Sequence, residues 1–164
     1  KKKYHEYELI IIGEGEMKDE LLKLIRSHGL EKEIHLLGFK NNVYKYLKRA
    51  DCFILTSLWE DPGFVLIEAG LSNTTVISSD CKNGPEEILG NGKNGYLFKN
   101  NNLNDLLKKF NEFKKEDKIK LLSKKLNLKK ELKKFTFFAH FNSLKKIINL
   151  KNLIYETLNL HMHL

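Results

Sequence analysis

The sequence predicts an α/β fold, a Rossmann-like parallel sheet flanked by helices, with extra helices at the carboxyl end. Short continuous apolar runs alternate with amphipathic segments from Glu8 to Phe98, as expected when each parallel strand is followed by a covering helix. The strand-like runs are apolar at successive positions rather than at alternate ones, the mark of strands covered on both faces. After Asn102 no strand-like run returns, and helical spacing takes over.

The first strand is Glu8-Leu9-Ile10-Ile11-Ile12-Gly13. Met17, Leu21, Leu24, Ile25 and His28 then recur at helical spacing, and Gly29 supplies a stop. Ile34-His35-Leu36-Leu37, ended by Gly38, reads as the second strand, and Asn42 caps a short helix carrying Val43, Tyr46 and Leu47. Cys52 to Thr56 is the third strand. The breaker-rich loop Ser57-Leu58-Trp59-Glu60-Asp61-Pro62-Gly63 leads into a helix from about Phe64 to Leu71. Thr74 to Ser78 is the fourth strand, Pro85 to Leu89 a short helix, and Gly95 to Phe98 a brief fifth strand between asparagine-glycine turns.

Leu103, Leu106, Leu107 and Phe110 line one helix, and a lysine-rich stretch to Lys134 forms another. Phe137, Phe141, Leu144, Ile148, Tyr155 and Leu158 line a longer terminal one. Phe137, Phe138, Phe141 and Tyr155 read as core or docking residues rather than ligand contacts. No repeat and no Pro/Gly/Ser linker interrupts the chain. The reading places a sheet domain over residues 1–113 and packs the helices of 114–164 on that same domain.

At 164 residues with 41% apolar content the chain suits one ordinary domain. No apolar run approaches the roughly 20 residues of a membrane span, and Lys1-Lys2-Lys3-Tyr4-His5 is not followed by a secretory core, so a cytoplasmic protein is expected. Cys52 and Cys81 sit beside apolar runs as free thiols. The six histidines form no spaced ligand set, and His161-Met162-His163 lies at a terminus, so no metal and no cofactor are expected.

Charge is unevenly distributed. Residues 1–100 hold 14 Lys/Arg against 15 Asp/Glu, a net −1, whereas residues 101–164 hold 15 against 6, a net +9. A basic back end suits an anionic membrane surface as a peripheral contact. Solvated helix faces are the preferred reading, because no aromatic platform or RNA motif accompanies the lysines, and nucleic acid is not expected as a partner.

In open parallel sheets ligands bind where strands end and helices begin. Here that edge holds Gly13-Glu14-Gly15, Gly38-Phe39, Ser57 to Phe64, and Asp80 to Pro85. Glu60 lies in the third of these loops, Gly63 gives backbone room, and the following helix offers unpaired amides and a positive dipole end suited to phosphate. Glu68, eight residues after Glu60, falls about one and a half turns into the helix. Two carboxylates so placed can accept hydrogen bonds from vicinal hydroxyls while the amides between them address an anion. Alone, such spacing is also met by chance, and Gly13-Glu14-Gly15 lacks the third glycine of a dinucleotide fingerprint.

Taken in order, the residues from about Glu8 to Phe110 resemble the group 1 (family 4) retaining glycosyltransferases, in the donor-binding, C-terminal half of the GT-B fold. Ile11-Ile12-Gly13-Glu14-Gly15 and Ile34-His35-Leu36-Leu37-Gly38 are similar to its first two strand ends. Leu55 to Ala69 resembles its E-x7-E signature, and Val76-Ile77-Ser78-Ser79-Asp80 and Asn94-Gly95-Tyr96-Leu97 its later landmarks.

The resemblance implies that Glu60, the catalytic candidate, meets hydroxyls of the transferred sugar and that Glu68 meets the ribose. The backbone amides of Gly63, Phe64 and Val65 would contact the sugar or diphosphate, with Leu66, Gly38 and Ser57 completing the donor-binding set. It further implies a UDP-sugar donor, a hexosyl or N-acetylhexosaminyl group, and retention at the anomeric carbon without a required metal. The leaving phosphate would help deprotonate a polysaccharide or lipid-linked acceptor.

Departures sharpen this. The family usually carries Glu-Gly-Phe-Gly where this sequence has Glu60-Asp61-Pro62-Gly63-Phe64, and Pro62 removes one amide donor. Asn83-Gly84-Pro85 replaces a glycine pair, a variant similar to enzymes of surface polysaccharide, lipopolysaccharide or lipid-linked oligosaccharide assembly. The family's acceptor-binding domain, with the arginine and lysine that hold the donor diphosphate, does not precede the first strand here. The expectation is therefore a donor-binding half that is inactive without an acceptor domain or partner chain. Two rivals remain: a non-catalytic interaction module whose basic helices bind an acidic membrane or partner, and a sugar epimerase, which the intact E-x7-E flanks disfavour.

Overall fold

The computed structural model describes the backbone of residues 7–161 and the side chains of residues 7–149 and 151. These form two compact units, residues 1–46 and 47–164. In the first, β1 (Leu9–Ile12) pairs in parallel with β2 (Ile34–Gly38), and α1 (Lys18–Ser27) connects them. The apolar run of β1 pairs Leu9 with Ile34 and Ile11 with Leu36, and Gly38 ends the ladder opposite Ile12. The single turn α2 (Tyr44–Leu47) follows.

The second unit holds β3 (Cys52–Leu55), β4 (Thr75–Ser79) and β5 (Tyr96–Phe98), all parallel, in the order β3-β4-β5. Crossovers pass through α3 (Phe64–Leu71) and α4 (Pro85–Ile88). Three helices follow: α5 (Leu103–Lys115), α6 (Lys118–Glu131) and, after a short 3-10 turn at Leu132–Phe135, α7 (Phe137–His161). Asn102 caps α5 by accepting from the Asp105 amide, and Asp117 caps α6 by accepting from the amides of Ile119 and Lys120. No helix among the described residues is long and apolar enough to cross a membrane.

Strand β4 shows the double coverage expected of a continuous apolar run, whereas Leu9 and Ile10 of β1 are exposed. All five residues of β4 are buried, because it is the central strand and is covered on both faces. Val76 packs with Leu66, Ala69, Ile88, Leu89, Leu128 and Leu132. Its neighbour Ile77 points the other way, into Tyr96, Phe98 and Phe113. Two apolar layers thus sandwich the strand.

Helices α5 and α6 are part of this construction. Leu128 and Leu132 join the core because α3 presents Gly70 to them: a Cβ there would stand 2.5 Å from Leu132 Cδ1 and 2.9 Å from Leu128 Cδ2. Phe113 of α5 meets the Tyr96 ring edge-on, with centroids 6.1 Å apart. Phe137, Phe138 and Phe141, by contrast, are exposed and do not join the core. Tyr155, Leu158 and the His161–His163 tail lie outside the described side chains. Cys81 is buried and Cys52 half-buried, both as free thiols.

Candidate functional site

At the carboxyl ends of β3, β4 and β5 the three connecting loops are tied to one another. The Ser79 hydroxyl donates to the Ser57 carbonyl at 2.6 Å, and the Glu60 amide donates to the Lys82 carbonyl at 3.3 Å. Trp59 and Lys82 form an isolated parallel bridge. Asn100 spans the rim: its Nδ2 donates to the Leu58 carbonyl at 2.8 Å while its own amide donates to Asp80 Oδ1 at 2.6 Å. The Glu60 loop is therefore held from the loop after β4 and from the loop after β5.

Gly84 makes that hold possible. It has φ 126°, and a Cβ there would collide with the carbonyl oxygen of Pro62, so no other residue lets the two backbones come this close.

Gly63 turns the loop into α3. As N-cap residue it adopts φ 82° and ψ 43°, the left-handed region. Its carbonyl accepts the Leu66 amide at 3.0 Å, closing the first turn. A Cβ on Gly63 would lie 3.8 Å from both Cβ and Cγ of Glu60, so the Glu60 stem lies directly against the helix tip. Gly63 itself is buried, and the two residues after it reach solvent. Phe64 is 66% exposed and Val65 38%, and among the described residues nothing accepts from their amides. Such amides carry the positive end of the helix dipole.

Helical spacing sets the rest. Glu68 stands one turn beyond Phe64 and three residues beyond Val65, on the side away from buried Leu66, Ala69 and Gly70. It is half-buried, and its carbonyl accepts from both the amide and the hydroxyl of Ser72. Ser57, Glu60, Gly63, Phe64, Val65 and Glu68 are thus brought to one rim of the second unit. Leu66 points inward: it is wholly buried and its amide is given to Gly63. Gly38 belongs to the first unit, where it closes β2 at φ 68° and its carbonyl accepts the Gly13 amide at 3.0 Å. Glu14 Oε1 lies 3.7 Å from where a Gly38 Cβ would stand. No group of three or more His, Cys, Asp or Glu among the described residues could hold a metal ion.

Asn100 escaped the sequence reading. It sits in the run Lys99-Asn100-Asn101-Asn102, where nothing distinguishes one asparagine from the next. Its partners, Asp80 and Leu58, lie 20 and 42 residues earlier in the chain.

The model of the family "Glycosyl transferases group 1" matches residues 1–134. Over 112 residues the chain is 38% identical to an N-acetylgalactosaminyltransferase of Campylobacter jejuni that acts on a diphospho-undecaprenol-linked sugar, covering 68% of this chain and 31% of that protein. Over 99 residues it is 37% identical to the poly(ribitol-phosphate) alpha-N-acetylglucosaminyltransferase of Staphylococcus aureus, covering 60% of this chain and 20% of that protein. The chain therefore spans under a third of the length of these relatives.

Among solved structures, S. aureus TarM in complex with UDP superposes with a TM-score of 0.77 at 30% identity, over 91% of this chain and 30% of TarM. The C-terminal domain of a group 1 glycosyl transferase from Francisella tularensis superposes with a TM-score of 0.69 at 24% identity, over 83% of this chain and 73% of that domain, which bears on the fold alone. With the family model covering most of the chain and the carboxyl-terminal GT-B fold matched, this protein belongs to the group 1 glycosyltransferases.

Proposed function

We propose that the second unit binds a nucleotide-diphosphate sugar across the amino end of α3, as the donor site of a retaining glycosyltransferase. The observation that carries this reading is the helix tip itself: Phe64 and Val65 are exposed residues whose amides have no acceptor among the described residues, with the Glu60 stem against one side and Glu68 one turn along. An anion placed on those amides meets unpaired donors and the dipole together. Glu60 then accepts hydrogen bonds from sugar hydroxyls and Glu68 from ribose hydroxyls, each a charge-assisted contact. Leu66 serves as the anchor that keeps the tip in place. The reading rests on the second unit alone.

UDP is the favoured nucleotide because TarM was solved with it, and an N-acetylhexosamine is the favoured sugar because two relatives transfer one. In the transfer an acceptor hydroxyl oxygen forms a bond to the anomeric carbon as the bond from that carbon to the diphosphate oxygen breaks. The departing diphosphate takes the hydroxyl proton, and no covalent enzyme intermediate is needed. The chain spans under a third of the length of these relatives, so donor binding, rather than transfer, is the step that these 164 residues are tested for.

Calorimetric titration with UDP-N-acetylglucosamine and UDP-N-acetylgalactosamine tests this. Weak binding is expected, and Glu68→Ala should raise Kd about tenfold for the sugar nucleotide and for UDP alike, the loss of one charge-assisted hydrogen bond. Glu60→Gln should weaken the sugar nucleotide while leaving UDP unchanged. A folded sample that takes up no uridine, guanosine or adenosine diphosphate sugar at millimolar concentration defeats the proposal.

A further inference from the structure

Helix α6 carries two apolar lines, and only one of them is used by the fold. Leu121, Leu128 and Leu132 turn inward against the sheet and α3. Ile119, Leu122 and Leu126, at spacings of three and four, form a second line on the opposite side. They are 82%, 57% and 49% exposed. Three large aliphatic side chains aligned in water cost free energy unless something covers them.

Their surroundings identify the cover. On the helical wheel Lys118 and Lys129 border this line on one side, with half-buried Lys125 behind them, and Lys130 borders it on the other. Among the described residues none of these four lysines is in an ion pair. The neighbouring carboxylates are engaged elsewhere. Asp117 caps the helix, and Glu116 accepts the Tyr96 hydroxyl and pairs with Lys120 and Lys124 on the other flank. Glu131 falls on the far side of the wheel, near Lys134. The outward face of α6 is thus an aliphatic strip between free lysines with no carboxylate on it.

We infer that this face of α6 docks on an anionic membrane surface, with Ile119, Leu122 and Leu126 entering the headgroup boundary and Lys118, Lys125, Lys129 and Lys130 meeting lipid phosphates. A strip of aliphatics flanked by lysines is the composition of interfacial helices. A nucleic-acid surface would match the lysines but leave the aliphatic strip uncovered, since it stacks on aromatics and this face has none. The anchoring of α6 on Gly70 by Leu128 and Leu132 means that the face is presented by a fixed helix rather than a free tail. The inference is independent of the donor-site reading, because none of the α3 residues takes part.

Flotation of the 164-residue chain with vesicles tests it. Binding to phosphatidylglycerol/phosphatidylcholine vesicles is expected at low salt, with none to phosphatidylcholine alone and a loss of about tenfold or more when ionic strength is raised severalfold. Reversing Lys118, Lys125, Lys129 and Lys130 to Glu should weaken binding by about a hundredfold or more. Ile119→Ser with Leu122→Ser and Leu126→Ser should abolish the part that survives high salt. Lys145→Glu with Lys146→Glu, on α7, should change binding less than about twofold if only α6 docks. All these side chains but half-buried Lys125 are exposed, and thermal melts check that each variant folds; should the reversed variant not fold, the Lys→Gln set replaces it. No flotation at low salt, equal loss in the α7 control, unchanged binding by the α6 variants, or tighter binding to duplex RNA or DNA than to vesicles would each overturn the inference.

Discussion

Where α3 meets α6 in the second unit, contact is apolar and tight: Gly70 leaves no room for a methyl group beneath Leu128 and Leu132. At the strand ends of the same unit, contact is polar and sparse, and the Glu60 loop is held by single hydrogen bonds, two accepted from Ser79 and Asn100 and one donated to the Lys82 carbonyl. Helix α3 belongs to both regions, through Leu66, Ala69 and Gly70 on one face and Phe64, Val65 and Glu68 on the other. The difference teaches where each property resides. Dispersion and burial in the first region set whether the unit folds; directional bonds in the second set the shape of a rim that must stay open to a ligand.

The largest effect should come from the packed region. Leu128→Ala removes a 1% exposed side chain from the core and should cost about 2–5 kcal/mol of unfolding free energy. Nucleotide affinity per folded molecule should be unchanged, and chemical denaturation together with calorimetry reads both. If affinity falls with stability, the two regions are not separable. Asn100→Ala should behave in the opposite way. It should cost only about 1 kcal/mol of stability, one net hydrogen bond, while weakening donor binding severalfold, because the Leu58 carbonyl and the loop behind Glu60 lose their tether. A melting point that drops as far as that of Leu128→Ala would place Asn100 in the structural class.

The smallest effect is alkaline and belongs again to the packed side. Burial, with the charge of Asp51 adding to it, pushes the Cys52 thiol from 9.0 up to about 11. Burial also raises the Tyr96 hydroxyl above its ordinary value, with its hydrogen bond to Glu116 and the charges of Glu116 and Glu112 adding to the shift. Both groups hold their protons more tightly folded than unfolded, so stability is full below about pH 9 and declines as pH climbs towards 11. Denaturant midpoints measured across that window should fall, and Cys52→Ala should remove part of the slope.

The packed region was legible in the sequence and the rim only partly so. Thr75–Ser79 could be read from its residues because double coverage writes itself as a continuous apolar run, and Phe64–Leu71 because the breakers Pro62 and Gly63 mark where a helix starts. Glu60 and Glu68 could be singled out as candidates because their spacing with its flanks resembles the family's E-x7-E signature, whereas the spacing alone is also met by chance. Asn100 could not, since its work depends on partners brought together only by the parallel pairing of β3, β4 and β5. The lysine-rich stretch to Lys134 was legible as a helix, but not as one with two apolar lines: which leucines face the core depends on where Gly70 lies.

The tether from Asn100 to Leu58 also bears on how the protein is made. The loop that carries Glu60 leaves the ribosome 40 residues ahead of the asparagine that fixes it. At common elongation rates that interval lasts several seconds. Throughout it the nascent chain lacks the last clamp on its acidic loop, so a polypeptide halted before β5 should hold a sugar nucleotide at least severalfold more weakly than the whole chain even with every α3 residue already synthesised.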